Sequence, residues 1–232
     1  MNVIITGATK GIGKATAAFF LQQGANIAIC SRHQKDLEAT RATWRQQYPD
    51  AEILVRQVDM AVRTQIDDFA RMIQDRWEQV DILINNAGIF RYGLMREEPI
   101  DQLTELLQIN LLGVHYMTRA TLPFIRQPQG QIINICSIAS KKAIKNSGSY
   151  SVSKHALLGY TNNLREELRP LQIKVTAVLP SATWSSSWTG ADLPTERLMA
   201  TEEVGRAIWE ICQFDATTVV EEVVLRPPLG DI

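Results

Sequence analysis

The sequence predicts an α/β fold, a single doubly wound domain with a parallel seven-stranded sheet and helices on both faces, spanning 1–232. Three observations carry this reading. Short apolar runs rich in Val and Ile alternate with longer amphipathic stretches along the chain, which is the pattern of repeated βαβ units. A glycine-rich turn follows the first apolar run directly and opens the first amphipathic stretch. The 232 residues, 45% hydrophobic and 21% charged, suit one domain with a sizeable core, and no repeat, low-complexity tract or linker divides them.

The first strand, 2–6, contains Val3-Ile-Ile5 and runs straight into the glycine turn. Further strands are expected at 26–30, 52–57, 81–85, 131–137, 173–179 and 219–225. Amphipathic helices fill the gaps at 12–23, 34–47, 62–78, 99–125 with a break near Gly113, 149–169 and 201–213. Two irregular stretches, 87–98 and 180–200, follow strands at their carboxyl ends, where open parallel sheets bind ligands. The second carries a Ser-rich run between Trp184 and Trp188 and is longer than the roughly 12 to 15 residues of an ordinary connection, so it reads as a lid.

Twenty-four basic against 25 acidic side chains give a formal charge of −1, so no global field recruits nucleic acid or an anionic membrane. Cys30, Cys136 and Cys212 are far apart, with no C-x-x-C pair and no His at ligand spacing. They read as small buried hydrophobes, with no metal and no disulfide expected. The N-terminal residues read as a strand and not as a charged leader, and no apolar run approaches the roughly 18 to 20 residues of a membrane span. A soluble, reducing, cytoplasmic setting is the expectation.

The turn Thr6-Gly7-Ala-Thr9-Lys10-Gly11-Ile12-Gly13 has the spacing G-x-x-x-G-x-G. Its glycines permit a tight bend and let the backbone approach a pyrophosphate seated on the helix N-terminus. The second strand ends in Cys30-Ser31-Arg32-His33, where an NAD site would place a carboxylate against the ribose 2′-hydroxyl. No acid stands there. Ser31 and Arg32, with Lys10 as a second cation, suit a 2′-phosphate instead, which points to NADP(H) over NAD(H).

Tyr150-Ser-Val-Ser-Lys154 puts a phenol and an ammonium four residues apart on one helix face, with Ser137 thirteen residues before the phenol. An adjacent ammonium is expected to favour phenolate and lower the Tyr150 pKa from about 10 toward neutrality, making it a general acid and base. Ser137 ends a strand-like run, so its hydroxyl can meet the carbonyl that the phenol protonates.

Together these motifs resemble the short-chain dehydrogenase/reductase family over nearly the whole chain, which implies a Rossmann-type fold. The glycine turn matches its cofactor loop, Asp59-Met60 its adenine contact and Asn85-Asn86-Ala87-Gly88 its fourth-strand motif. Asn110, Ser137, Tyr150 and Lys154 match its catalytic four. The resemblance implies that Tyr150 moves the substrate proton, Ser137 polarises the carbonyl, and Lys154 holds the nicotinamide ribose. Asn110, at a helix distortion, is implied to anchor a water that connects Lys154 to solvent. It further implies a small-molecule carbonyl or alcohol substrate and a homodimer or homotetramer built on the helices at 99–125 and 149–169. Two departures stand out. Pro180 is followed by Ser181 where the family commonly has Gly, with Ser185 in place of a Thr that touches the carboxamide, and the C-terminal stretch lacks the Gly-Gly ending frequent in acyl-carrier-protein reductases.

Phe90, Tyr92, Ile144, Trp184 and Trp188 suggest an apolar or aromatic-tolerant substrate beside residues 89–95 and 139–144. A 3-oxoacyl-(acyl-carrier-protein) reductase is one alternative, and a non-catalytic NADP(H)-binding sensor or scaffold another. His115 and His155 lack a Ser or Cys nucleophile partner at known spacing and read as surface or interface positions, His33 beside Arg32 either faces the 2′-phosphate or is an exposed loop histidine, and the acidic pairs Asp67-Asp68, Glu97-Glu98 and Glu166-Glu167 read as solvated faces.

Overall fold

The computed structural model describes residues 1–184 and 197–231. Seven strands, β1 (Asn2–Thr6), β2 (Asn26–Ser31), β3 (Ile53–Gln57), β4 (Ile82–Asn85), β5 (Gln131–Ile135), β6 (Lys174–Pro180) and β7 (Glu222–Leu225), form one sheet in the order β3-β2-β1-β4-β5-β6-β7. Every pairing is parallel. The order reverses between β1 and β4, which leaves a crevice where the chain departs to opposite faces.

Side chains alternate across the pleat, so each strand feeds both layers. Val3, Ile5, Ile27, Ile29 and Ile84 pack under α1 (Gly11–Gln22), α2 (Gln34–Gln47) and α7 (Thr201–Cys212). Ile4, Ala28, Leu83, Ile132 and Val175 pack under α3 (Arg63–Gln74), α5 (Gly113–Thr121) and α6 (Gly148–Leu168). Helices α1 and α7 meet through the edge-on pair Phe20 and Trp209, ring centres 5.1 Å apart. They approach closely because residue 205 is glycine: a Cβ there would lie 2.9 Å from the Thr16 nitrogen.

Outside three stretches the elements fall within two residues of the pattern reading. Helix α3 ends at Gln74, not 78, because Trp77 turns inward and donates its indole N–H to Glu52 at 2.8 Å. The stretch 99–125 starts later, at Gln102, and is broken near Gly113 as expected: α4 (Gln102–Leu107) passes through a π-helical turn over Gln108–Leu112 into α5, and a 3-10 turn over Leu122–Phe124 ends it. Strand β7 begins at Glu222, three residues later than expected. Among the described residues no helix is long and apolar enough to cross a membrane.

Candidate active site

The turn after β1 bends through two glycines with positive φ, Gly7 at +67° and Gly11 at +58°, which L side chains adopt at a cost. Above Gly11 a Cβ would meet nothing within 4 Å, so the turn is open on that side. At Gly13 a Cβ would lie 2.4 Å from Asn86 Nδ2, so this glycine serves close packing. Side chains beyond the β1–β4 ladder clasp the two strand ends. Thr6 Oγ1 accepts from the amides of Asn86 (3.0 Å) and Ala87 (2.9 Å), and Asn86 Nδ2 donates to the carbonyls of Thr6 (2.9 Å) and Gly7 (3.0 Å).

A groove of about 220 Å³ opens at this crevice. Of the residues expected at a cofactor, Gly7, Thr9, Lys10, Gly11, Ser31, Arg32, Asp59, Met60, Asn86, Ala87 and Gly88 line it, together with His33. Ile12, Gly13, Tyr150, Lys154 and Pro180 do not; the first two lie in the first turn of α1. Ser31 closes β2, its hydroxyl 3.3 Å from that of Thr9. The guanidinium of Arg32 and the ammonium of Lys10 are exposed and have no ion-pair partner among the described residues. The nearby Asp59 carboxylate is occupied in its own turn, accepting from the Ala61 amide at 2.9 Å.

Ser137 follows β5 and caps the 3-10 turn Ile138–Ser140, accepting from the Ala139 amide at 3.1 Å. Tyr150 and Lys154 lie on the first turns of α6. Asn110 sits in the π-helical turn and is fully buried: its Oδ1 accepts from the Ile89 amide (2.9 Å), and its Nδ2 donates to the Ile89 carbonyl and Ser153 Oγ (both 3.0 Å). Gly88 is the meeting point. A Cβ on it would be 3.1 Å from Asn110 Oδ1 and 3.7 Å from Lys154 Nζ. The four side chains do not line the groove itself but gather beyond its Gly88 edge: Asn110 and Lys154 lie beside Gly88, and Tyr150 is hydrogen-bonded with Ser137.

The electrostatics differ from the sequence expectation. Burial pushes the Tyr150 phenol up to about 12, and a hydrogen bond with Ser137 offsets only part of that rise. Burial also lowers the Lys154 ammonium to about 8. The expected fall of Tyr150 toward neutrality is not found, because desolvation penalises the charge of each group and Lys154 Nζ donates to the Ile135 carbonyl at 2.8 Å.

Phe90 stands edge-on to Tyr150, ring centres 4.9 Å apart. The stretch around it is tied to the start of α6: Asn146 Nδ2 donates to Tyr92 Oη (2.7 Å), the Gly93 amide donates to the Asn146 carbonyl (2.7 Å), and Ser149 donates to Glu98. Glu98 is thus not merely a solvated charge, whereas Asp67, Asp68, Glu97 and Glu166 are in surface ion pairs. His115 packs edge-on to Tyr116 and Tyr160, away from the groove.

Pro180 is buried at the end of β6. Ser181, in place of the usual glycine, carries no positive φ, and its amide continues the ladder to the Leu225 carbonyl at 2.9 Å, so the lost glycine costs no strain. Ser185, Trp188 and most of the expected lid lie outside the described residues, while Trp184 is half exposed and bonded through its backbone to Met199. Sequence reasoning passed over Thr6 as a site residue although it heads the glycine motif, and it passed over Asp231, whose partners are 50 and 89 residues away.

A doubly wound parallel sheet with a glycine turn at its switch point and a buried Tyr-Lys pair beside it defines a nucleotide-binding α/β protein. The family model for short chain dehydrogenases matches residues 1–192, and the chain belongs to this family of oxidoreductases. It is similar to a sepiapterin reductase of Chlorobaculum tepidum, 30% identical over 239 residues that cover 99% of this chain and 97% of the relative. Among solved structures it superposes on an alcohol dehydrogenase of the archaeon Thermococcus sibiricus complexed with 5-hydroxy-NADP (TM-score 0.90, 22% identity, 100% of this chain and 98% of that one). A similar match is the NADPH-bound short chain oxidoreductase of Pseudomonas aeruginosa PAO1, which contains an atypical catalytic center (TM-score 0.92, 23% identity, 99% and 96%).

Proposed function

We propose that this protein is an NADP(H)-dependent carbonyl reductase, with Tyr150 as proton donor. The observation that carries the reading is the gathering of Asn110 and Lys154, with the hydrogen-bonded Tyr150 and Ser137, beyond the Gly88 edge of a groove that Ser31, Arg32 and Lys10 line. The groove fits the cofactor: its turn is open above Gly11, and two cations without ion-pair partners face the position of a ribose phosphate. The NADP and NADPH complexes among the similar structures support the same choice. When bound, the nicotinamide supplies the hydride.

The protein's own residues do the rest. Gly7, Thr9, Gly11 and Ile12 hold the pyrophosphate at the start of α1, Asp59 and Met60 border the adenine, and Asn86, Ala87 and Gly88 form the opposite wall. Arg32 and Ser31 bind the 2′-phosphate, with Lys10 adding charge. Lys154 holds the nicotinamide ribose, and Pro180 and Ser185 border the carboxamide. Ser137 donates to the substrate carbonyl oxygen, and Tyr150, whose phenol burial holds further still from ionising at neutral pH, delivers the proton. Asn110 keeps the π-helical turn open toward Lys154 so that the proton is replaced from solvent. Phe90 beside the phenol favours a substrate with apolar or aromatic substituents.

The test is a panel of ketones, aldehydes, a sepiapterin and a 3-oxoacyl thioester on acyl-carrier protein, read as loss of NADPH absorbance. Turnover of small carbonyls carries the proposal. Turnover of the thioester alone would replace it with a fatty-acid role, and tight NADPH binding without turnover of any substrate would make the protein a sensor.

A further inference from the structure

Two lysines in the loop after β5 reach across to the β7 side of the sheet. Lys141 pairs with Glu222 on β7, and Lys142 pairs with Asp231. The Asp231 carboxylate also accepts from Ser181 Oγ and lies 3.7 Å from Arg226 Nη1. Its side chain is only 16% exposed. A carboxylate shielded to that degree and hydrogen-bonded by both an ammonium and a hydroxyl is worth more than an open surface pair.

The two donors sit on the loops that follow different strands, β5 and β6. Lys142 lies two residues beyond the 3-10 turn that Ser137 caps, and Ser181 directly follows Pro180 at the carboxyl end of β6. Among the described residues no hydrogen bond or ion pair joins Asp231 to Tyr150, Ser137 or the glycine turn. Its contacts can act on the chemistry only through the two loops they join. Ser181 is one of the positions at which this chain departs from the motif expected of its family, and the hydroxyl there is the one that Asp231 holds.

We propose that Asp231 is a positioning residue that holds the loop starting at Ser137 and the segment starting at Ser181 in one fixed relation, thereby shaping the substrate side of the site. The kinetic readout rests on the carbonyl-reductase reading; the exchange readout does not. Asp231→Asn keeps the shape and removes the charge. Expected are an increase in KM for the carbonyl substrate of about tenfold, the equivalent of one weakened charge-assisted hydrogen bond, and little change in kcat or NADPH affinity. In the protein without ligand, hydrogen exchange should quicken at amides 138–147 and 181–184. Asp231→Glu should restore part of both effects, and Lys142→Met and Ser181→Ala should each reproduce part of them. Adding Asp231→Asn to Lys142→Met should cost less than the sum of the two.

Unchanged exchange in both segments with unchanged KM would overturn the proposal, as would a uniform loss of KM, kcat, NADPH affinity and melting temperature that Asp231→Glu does not relieve. If Asp231→Asn does not fold, the milder Lys142→Met and Ser181→Ala variants decide by the same readouts. If the wild-type protein reduces no carbonyl, the proposed function fails, while the exchange measurements still decide whether Asp231 joins the two loops.

Discussion

The Lys154 ammonium lies 5.9 Å from the centre of the Tyr150 ring, and it spends a hydrogen bond on the Ile135 carbonyl at 2.8 Å. That bond fixes the amine against the end of β5, two residues before Ser137. The phenol and the amine share a desolvated face, and burial moves the first up to about 12 and the second down to about 8. At neutral pH the phenol keeps its proton and the amine is still mostly charged, the protonation pattern a reductase needs before it gives a proton away.

This pair makes stability depend on pH in a defined direction. Lys154 titrates near 8 when folded, below its ordinary 10.5, so between those values the unfolded chain binds more protons and stability rises with pH. The penalty for burying the charge is fully present below pH 8. Tyr150 has the opposite sign: its value rises from 10.0 to about 12, so it withdraws stability only above pH 10 once the unfolded phenol begins to ionise. From about pH 7.5 to about pH 10 the wild-type protein should gain on the order of 2 to 3 kcal/mol relative to Lys154→Met. Urea unfolding of both proteins across that range checks it, the cysteine titrations largely cancelling between them.

Tyr150→Phe removes the hydroxyl and leaves the ring against Phe90. Turnover should fall by about 10²- to 10⁴-fold, the share that acid catalysis contributes. NADPH affinity should hold within a few-fold. Near-normal turnover in an assay limited by chemistry would assign the proton to another group.

Arg32→Ala should weaken NADPH by about ten- to a hundredfold and leave NADH nearly unchanged, since one charge-assisted contact to phosphate is worth roughly 1.5 to 3 kcal/mol. Equal losses for both cofactors, measured by fluorescence titration, would contradict the role given to this side chain.

Thr6→Val is nearly isosteric but removes the acceptor shared by the Asn86 and Ala87 amides. Thr6 is 1% exposed, so water cannot replace the lost partner, and the change should cost about 2 to 4 kcal/mol if both amides go unpaired. Thermal unfolding of the variant should show a clear drop in Tm, and Thr6→Ser should recover most of it.

The strands were legible because β1 to β6 are short Val and Ile runs in a fixed alternation with helices, and α2 falls on its expected bounds, 34 to 47. What escaped the pattern was set by distant partners. Local propensity cannot report that Asn110 bonds the Ile89 backbone inside a π-helical turn, nor that Trp77 leaves the α3 face for Glu52. In the candidate site the motifs identified which residues gather at the groove. The direction of the Tyr150 shift did not follow from a four-residue spacing, because burial outweighs a neighbouring charge and burial belongs to the tertiary structure. Ser181 illustrates the converse: a substitution that looks costly beside a family motif sits in unstrained backbone and gains a partner in Asp231.

The clasp between Thr6 and Asn86 divides labour within the groove. The curve of the glycine turn is fastened to β4 by four hydrogen bonds that involve no residue of β2. Ser31, the last residue of β2, meets that turn through the hydroxyl of Thr9, and the Gly7 amide donates to the Cys30 carbonyl at 2.9 Å; Arg32 lies one residue beyond the strand. The bend and the residue beyond β2 are thus held by different bonds. If Arg32 selects the cofactor as proposed, replacing it with a carboxylate is a local graft that leaves the four bonds of the clasp in place.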